Sequence, residues 1–158
     1  MIYLLMGVMG SGKSTVGQAL ARRLDCPFHD GDDYHPESNR QKMARGIPLT
    51  DEDRKPWIFA LRSVLDSELA RGGDFVLACS ALRERYRNIL ITDPARFRLV
   101  YLKGDRELIA LRLRSRKGSF AHPSLLDSQF ETLEEPSDAL VVDVTPPPAA
   151  IVEAILRA

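Results

Sequence analysis

A chain of 158 residues, with 44% hydrophobic and 28% charged side chains, can bury the core of one domain without metals or disulfide bonds. Its 22 basic and 22 acidic residues balance, so the overall charge predicts neither nucleic acid nor an anionic membrane as a partner. No apolar run reaches the length that a membrane-spanning helix requires.

The predicted elements alternate between strand and helix, which is typical of an α/β fold with a mostly parallel sheet. Residues 2–6 are predicted to be a buried first strand rather than a signal peptide, because no positive region precedes them and a glycine-rich loop follows at once. A helix over 13–24 comes next. A short second strand over 27–29 then ends in the acidic loop 30–33.

Two helices are predicted in the central part of the chain, one over 37–45 and one from Pro56 to the glycine pair at 72–73. Residues 47–55 are interpreted as a connector. Pro56 suits the first turn of a helix, where a missing amide proton costs no hydrogen bond.

The remaining elements are three strands and three helices. Each is predicted from its pattern of apolar residues and from the turn residues that follow it. The strands are predicted at 75–79, 97–102 and 140–144, and the helices at 82–91, 105–115 and 149–156. Five strands with helices between them predict a three-layer α/β/α fold, organised as one domain over 1–158.

The sequence from Gly7 to Ser14 fits the phosphate-loop (P-loop) pattern Gly-x-x-x-x-Gly-Lys-Ser/Thr, and it lies between a predicted strand and a predicted helix. Its backbone amides would form an anion cradle at a helix N-terminus. Lys13 can reach the β- and γ-phosphates of ATP, and the Ser14 hydroxyl is placed to bind Mg²⁺. The alternative is a glycine-rich turn with a chance lysine. The predicted nucleotide-binding residues are Gly7, Val8, Met9, Gly10, Ser11, Gly12, Lys13, Ser14 and Thr15.

The acidic loop after the second strand is expected near this phosphate site, because ligands bind at the carboxyl ends of parallel strands. A carboxylate there can hold Mg²⁺ through water or accept the proton of an attacking hydroxyl. Asp30 and Asp32 would point to the same side if the loop is extended. Two alternatives are a solvated acidic turn and a dedicated metal site built from His29, Asp30, Asp32 and His35.

A basic segment leads into residues marked by Gly118 and Pro123, and we predict a lid over about 112–124. Arg112 and Arg116 are four residues apart and share one helix face. An arginine that reaches the transferring phosphoryl group stabilises the charge of the transition state. The alternative is a solvated basic helix end, which the helix dipole also favours.

Besides the phosphate loop, four specific stretches follow one another along nearly the whole chain. They are Asp30-Gly-Asp-Asp-Tyr-His-Pro36, Gly46-Ile-Pro-Leu-Thr-Asp-Glu-Asp-Arg54, Cys79-Ser-Ala-Leu82 and Ser128-Gln-Phe130. In these stretches the chain resembles the small bacterial-type gluconokinases, which are related to shikimate kinase among the P-loop small-molecule kinases. Met9 stands where these proteins often have serine, and the lid sequence 118–123 also departs from their pattern.

The resemblance implies ATP-dependent phosphorylation of D-gluconate to 6-phosphogluconate by in-line transfer. Asp30 would hold the magnesium water, so that Ser14 and Asp30 form the metal site, and Asp32 would contact and activate the acceptor hydroxyl. With Asp32, the catalytic residues would be Lys13 and a lid arginine, for which Arg116 is favoured over Arg112.

Gluconate carries one carboxylate and several hydroxyls, so its site needs a cation and hydrogen-bonding groups. Arg54 and Arg83 are the candidates for the carboxylate, because a guanidinium binds it bidentately. For Arg54 the alternative is a surface ion pair with Asp51 or Asp53, and for Arg83 a solvated position early in its helix. The hydroxyls or the charge balance are assigned to His35, Lys42 and Ser80.

A cytoplasmic enzyme with ATP and gluconate as its small-molecule partners is expected, with no nucleic-acid or membrane partner, and the family predicts a homodimer. One alternative function is another small-molecule P-loop kinase of the shikimate type. A second is a nucleotide-binding switch without turnover, although the Asn-Lys-x-Asp element of guanine-type switches does not occur in the sequence.

Overall fold

The computed structural model describes residues 1–116 and 121–158, and its five strands form one sheet in which each of the four pairings is parallel. The predicted α/β class with a five-stranded sheet is therefore confirmed. Apart from the second strand, Phe28–Asp30, the strands are apolar along most of their length, as expected where helices cover both faces. They are β1 Ile2–Met6, β2 Phe28–Asp30, β3 Phe75–Ala78, β4 Phe97–Lys103 and β5 Leu140–Asp143, in the order β2-β3-β1-β4-β5.

Helices cover both faces of the sheet, which gives three layers. In the described parts of the chain they are α1 Lys13–Leu24, α2 Glu37–Ala44, α3 Asp51–Arg71, α4 Glu84–Leu90, α5 Arg106–Ser115, α6 Leu125–Thr132 and α7 Pro148–Arg157, with 3₁₀ helices at Gly31–Tyr34 and Pro94–Arg96. Successive strand residues point to opposite faces. Accordingly Leu4 packs in the cluster that contains α3 and α4, whereas Leu5 packs in the cluster that contains α1 and α7.

Helix α3 begins at Asp51, so the assignment of 47–55 to a connector is right for 47–50 and wrong for 51–55. The Thr50 hydroxyl accepts a hydrogen bond from the Asp53 amide at 3.1 Å, and the Asp53 carboxylate accepts one from the Thr50 amide at 2.9 Å. These two bonds are a capping box, which satisfies backbone donors at a helix start. Pro56 consequently lies inside the helix rather than in its first turn.

A third apolar cluster joins the phosphate loop to the helices on either side of the predicted lid. Val8 and Met9 pack there with side chains of α5 and α6. Gly10 has a φ of +77°, and a Cβ atom at this position would lie 2.8 Å from Leu113 Cγ. Only glycine allows the loop to approach α5 this closely. No element is predicted for the residues of α6, so this contact was not expected.

Candidate phosphoryl-transfer site

A cavity of about 270 Å³ opens at the carboxyl ends of β1, β2 and β3, where ligands bind in open parallel sheets. One wall comes from the phosphate loop and the start of α1, a second from the acidic loop with α2 and α3, and a third from α6. The predicted residues that line it are Met9, Gly10, Gly12, Lys13, Ser14, Thr15, Asp30, Asp32, His35, Arg54, Ser80 and Arg116.

Hydrogen bonds within the phosphate loop hold its shape, and the loop leads directly into α1. The Lys13 ammonium donates a hydrogen bond to the Val8 carbonyl at 2.9 Å, and the Ser11 amide donates to the same residue at 3.2 Å. Gly12, the residue before the helix, has a φ of +94°, a left-handed value that glycine adopts without strain. The loop thus ends at a helix N-terminus, whose free amides and dipole favour an anion. Gly7, Val8 and Ser11 form the base of the loop, outside the cavity lining.

Asp30 joins the acidic loop to the phosphate loop. Its Oδ2 accepts a hydrogen bond from the Ser14 hydroxyl at 2.5 Å, and its Oδ1 accepts one from the Asp32 amide at 3.0 Å. Residues 31–34 form a 3₁₀ helix that Asp30 caps, so the expectation of an extended loop is wrong. Asp30 and Asp32 nevertheless both line the cavity, because the cap turns the chain back toward it.

The hypothesis of a dedicated metal site around His29 gains no support. Across residues 1–116 and 121–158, no group of three or more His, Cys, Asp or Glu side chains is arranged to hold a metal ion. The His29 Nδ1 atom is instead 2.7 Å from the Tyr34 hydroxyl, and its Nε2 is 3.7 Å from Glu68.

Burial shifts the two central charges of the cavity in opposite directions. It lowers the pKa of the Lys13 ammonium, and the negative charge of Asp32 is the largest influence opposing that shift. It raises the pKa of the Asp32 carboxyl, which Lys13 in turn opposes. Each charge therefore makes the other less costly to bury. A carboxylate with a raised pKa accepts protons more readily, as a general base requires.

His35 and Trp57 lie in the cavity wall that is formed by the acidic loop with α2 and α3. Their rings stack with centroids 4.4 Å apart and an interplanar angle of 12°, and the Trp57 Nε1 donates to the Gly31 carbonyl at 2.7 Å. Burial, followed by the charges of Arg40 and Arg54, lowers the pKa of His35 to about 4, so the ring is neutral at pH 7. The hydrogen bond from the buried Trp57 indole holds the acidic loop in place.

Two arginines lie in the same cavity wall, and only one of them was predicted. The Arg54 guanidinium is 3.7 Å from Asp51 and 5.7 Å from the centre of the Tyr86 ring. The ion pair that was the alternative for Arg54 therefore exists, and Arg54 lines the cavity as well. Arg40 donates to the Asp32 carbonyl at 2.8 Å and also lines the cavity. Arg40 could have been predicted from its position near the start of the helix that follows the acidic loop.

Ser80 lies on a loop that is held from both sides. Its carbonyl accepts from the Gly7 amide at 3.4 Å, at the base of the phosphate loop. The next residue, Ala81, has a φ of +44°, and the buried guanidinium of Arg87 donates to the Ala81 carbonyl at 2.9 Å. A left-handed alanine is strained, and this hydrogen bond helps to hold it.

Besides Gly7, Val8 and Ser11, three further predicted site residues lie outside the cavity lining. Lys42 forms a 2.8 Å ion pair with Asp53, Arg83 lies 3.9 Å from Glu134, and Arg112 lies 3.5 Å from the Thr145 carbonyl. Of the two lid arginines, the structure brings Arg116 to the cavity. The lid residues 117–120 lie outside the described parts of the chain.

Comparison with known proteins gives one consistent result. The family model for shikimate kinase matches residues 9–157. The thermoresistant gluconokinase of Escherichia coli (strain K12) is 43% identical over 160 residues, covering 99% of this chain and 91% of that protein, and a probable gluconokinase of Mus musculus is 49% identical over 153 residues, covering 86% and 83%. The crystal structure of a gluconokinase from Sinorhizobium meliloti 1021 superposes with a TM-score of 0.84 at 42% identity, covering 98% of this chain and 89% of that one. The chain therefore belongs to the gluconokinases, ATP-dependent kinases within the shikimate kinase family.

Proposed function

We propose that this chain transfers the γ-phosphoryl group of ATP to the C6 hydroxyl of D-gluconate, giving 6-phosphogluconate and ADP. Membership of the gluconokinases favours this acceptor. The observation that carries the proposal is a single cavity lined by the phosphate loop, the half-buried Asp32 carboxylate and the Arg54 guanidinium. These groups match the three parts of the reaction, which are a polyphosphate, an alcohol to be deprotonated and a carboxylate to be held.

In the proposed mechanism Asp32 accepts the proton of the acceptor hydroxyl as its oxygen attacks the γ-phosphorus. The bond between that phosphorus and the β–γ bridging oxygen breaks, and ADP leaves with the electron pair. Lys13 and Arg116 hold the negative charge of the transferring group, which in phosphoryl transfer is spread over three equatorial oxygens. Asp32 and Lys13 are already coupled electrostatically in the cavity.

Ser14 and Asp30 would hold Mg²⁺. Their hydroxyl and carboxylate oxygens lie 2.5 Å apart beside the phosphate loop, and oxygen atoms of this kind are the ligands that magnesium prefers. When bound, the ion neutralises charge on the phosphate oxygens.

For the acceptor carboxylate we propose Arg54 rather than Arg83, because Arg54 lines the cavity and Arg83 does not. His35 and Ser80 are proposed to bind acceptor hydroxyls. The Nδ1 atom of the neutral His35 ring lies 3.3 Å from the Asn39 amide nitrogen, which leaves Nε2–H as the donor for a hydroxyl oxygen. Lys42 would contribute indirectly, through the ion pair that caps α3.

Replacing Arg54 by lysine is expected to raise the KM for gluconate about 10- to 100-fold, because one bidentate, charge-assisted hydrogen bond of roughly 1.5–3 kcal/mol is lost. The KM for ATP should stay unchanged, since the phosphate loop is untouched. Steady-state kinetics with each substrate varied in turn measure both constants. Arg71→Lys is the matched control, because Arg71 lies at the other end of the same helix and is exposed. Equal changes in both KM values would contradict the assignment.

An assay of ADP production with a panel of acceptors tests the proposed function itself. D-Gluconate should stimulate ADP production strongly, whereas shikimate, nucleoside monophosphates and buffer alone should not. Stimulation by shikimate in place of gluconate would favour the related small-molecule kinase. ATP binding without acceptor-dependent turnover would favour a nucleotide-binding switch.

We also propose a single domain over 1–158 with a lid over about 112–124, a cytoplasmic location, and a homodimer as in the family. Within the described residues, no helix is both long and apolar enough to cross a bilayer. Gel filtration with light scattering at several protein concentrations measures the oligomeric state.

A further inference from the structure

Helix α6 reaches the phosphate loop through Gln129. The Gln129 Oε1 atom accepts a hydrogen bond of 2.6 Å from the Met9 amide, across 120 positions of sequence. Leu125 and Leu126 of the same helix pack in one apolar cluster with Val8 and Met9, so the helix is held close to the loop. The hydrogen bond is thus a part of a packed contact.

This hydrogen bond fixes which way the carboxamide of Gln129 faces. A backbone amide can only donate, so the carboxamide oxygen must be the atom beside Met9, and the Nε2 group with its two protons must face away from it. Gln129 lines the cavity together with Lys13 and Asp32. In the described parts of the chain, the Met9 contact is the one hydrogen bond of this side chain. Both Nε2 protons therefore remain for a ligand in the cavity.

We propose that Gln129 contacts the substrate in the phosphoryl transfer, with Nε2 donating to an oxygen of the transferring phosphoryl group. This inference rests on the proposed kinase function. The transferring group has three equatorial oxygens, and Lys13 and Arg116 are the cations that line the cavity beside the phosphate loop. A carboxamide adds a further hydrogen-bond donor and no positive charge. Another cation in the cavity would lower the pKa of Asp32 and make it a weaker base. The contact with Met9 holds this donor in place before the substrates arrive.

The alternative is that Gln129 only ties α6 to the loop. Gln129→Met removes both hydrogen bonds at nearly constant volume, and comparing two nucleotide complexes separates the two roles. Binding of MgADP depends on the shape of the phosphate loop. Binding of MgADP with aluminium fluoride, which stands in for the transferring phosphoryl group, depends also on the donors around that group. If Gln129 contacts that group, the variant should bind MgADP normally and should lose about tenfold or more in both aluminium fluoride affinity and kcat.

Calorimetry with MgADP, with and without aluminium fluoride, and steady-state kinetics provide these numbers. Equal weakening of both complexes would show a loop-supporting role, and no change in either would show no role. Both results overturn the inference. Thermal unfolding of the variant is measured alongside, and Gln129→Asn, which keeps a shorter carboxamide, replaces it if the methionine variant does not fold. Gln18→Met is the matched control, because Gln18 is exposed on α1 outside the cavity lining.

Turnover of the unaltered protein keeps the two proposals distinguishable. If that protein shows no gluconate-dependent ADP production, the proposed function fails, whatever the variants do. If it turns over normally and Gln129→Met does too, only the role of Gln129 is overturned.

Discussion

Asp32→Asn is expected to lower kcat by about 10²–10⁴-fold, the range that general acid–base groups contribute, while ATP binding stays nearly unchanged. Asparagine can fill the same space but cannot take the proton of the acceptor hydroxyl. The nucleotide is held on the other side of the cavity, by the loop amides and Lys13. Steady-state kinetics and calorimetric titration with MgATP measure the two effects. Unchanged turnover would remove Asp32 from the chemistry.

The same variant should be at least as stable as the original protein at pH 7. Burial raises the pKa of the Asp32 carboxyl above its ordinary value, so the folded state binds this proton more tightly than the unfolded state. The free energy of unfolding then falls as the pH rises from the unfolded-state pKa to the folded-state pKa, and it stays reduced above both. Asparagine removes this cost.

Thermal unfolding at several pH values tests that expectation. Asp32→Asn should match or exceed the unaltered protein at pH 7, and its advantage should shrink as the pH falls below the ordinary range of an aspartate. Asp25→Asn is a suitable control, because Asp25 is exposed with a φ of +52°, a conformation that asparagine tolerates. A strongly destabilised Asp32→Asn would mean that the carboxylate holds the fold rather than catalyses the reaction.

Lys13→Ala is expected to damage both nucleotide binding and turnover, with kcat falling by about 10²-fold or more. The ammonium supplies positive charge where the β- and γ-phosphates are proposed to lie, and it opposes the raised pKa of Asp32. Its removal should therefore also move the acid limb of the pH–rate profile to higher pH, because the pKa of Asp32 rises further.

Fluorescence or calorimetric titration with MgATP, and kcat measured from pH 5 to 9, test these effects. Lys55→Ala is the matched control, because the exposed Lys55 side chain pairs with Glu52 on the surface of α3. Normal ATP affinity in Lys13→Ala would place the lysine at the transferring group alone. An unshifted acid limb would show that Lys13 does not influence the pKa of Asp32.

The sequence predicted the fold and the phosphate loop well because both depend on local patterns. Four of the five strands are short, mostly apolar runs bounded by turn residues, and the start of α1 at Lys13 follows from the phosphate-loop pattern. The proximity of the acidic loop to the phosphate loop was predicted because the loops after parallel strands meet at one edge of the sheet, and the hydrogen bond from Ser14 to Asp30 joins the two loops.

The residues that the sequence did not reveal depend on contacts between distant segments. Gln129 meets Met9 only because α6 packs on the phosphate loop, and Trp57 meets Gly31 only because α3 crosses beneath the acidic loop. Helical spacing shows that a residue such as Trp57 is buried, but it does not show what the indole nitrogen contacts.

One error had a local cause. The capping box from Thr50 to Asp53 was overlooked because Pro56 also suits a helix start, and the two signals compete. The direct role of Lys42 in the site stays a prediction, and in the structure Lys42 pairs with a carboxylate at the start of α3.

The division of the helices between the two faces of the sheet has a consequence for how this family can diversify. Lys13 and Ser14 begin α1, which is embedded in one apolar layer, while Arg54 and Trp57 belong to α3, which is embedded in the opposite one. Substitutions that retune the choice of alcohol can accumulate in the second layer while Lys13 and Ser14 stay unchanged in the first. A lineage can thus acquire a new acceptor without passing through an ancestor that has lost its phosphoryl donor.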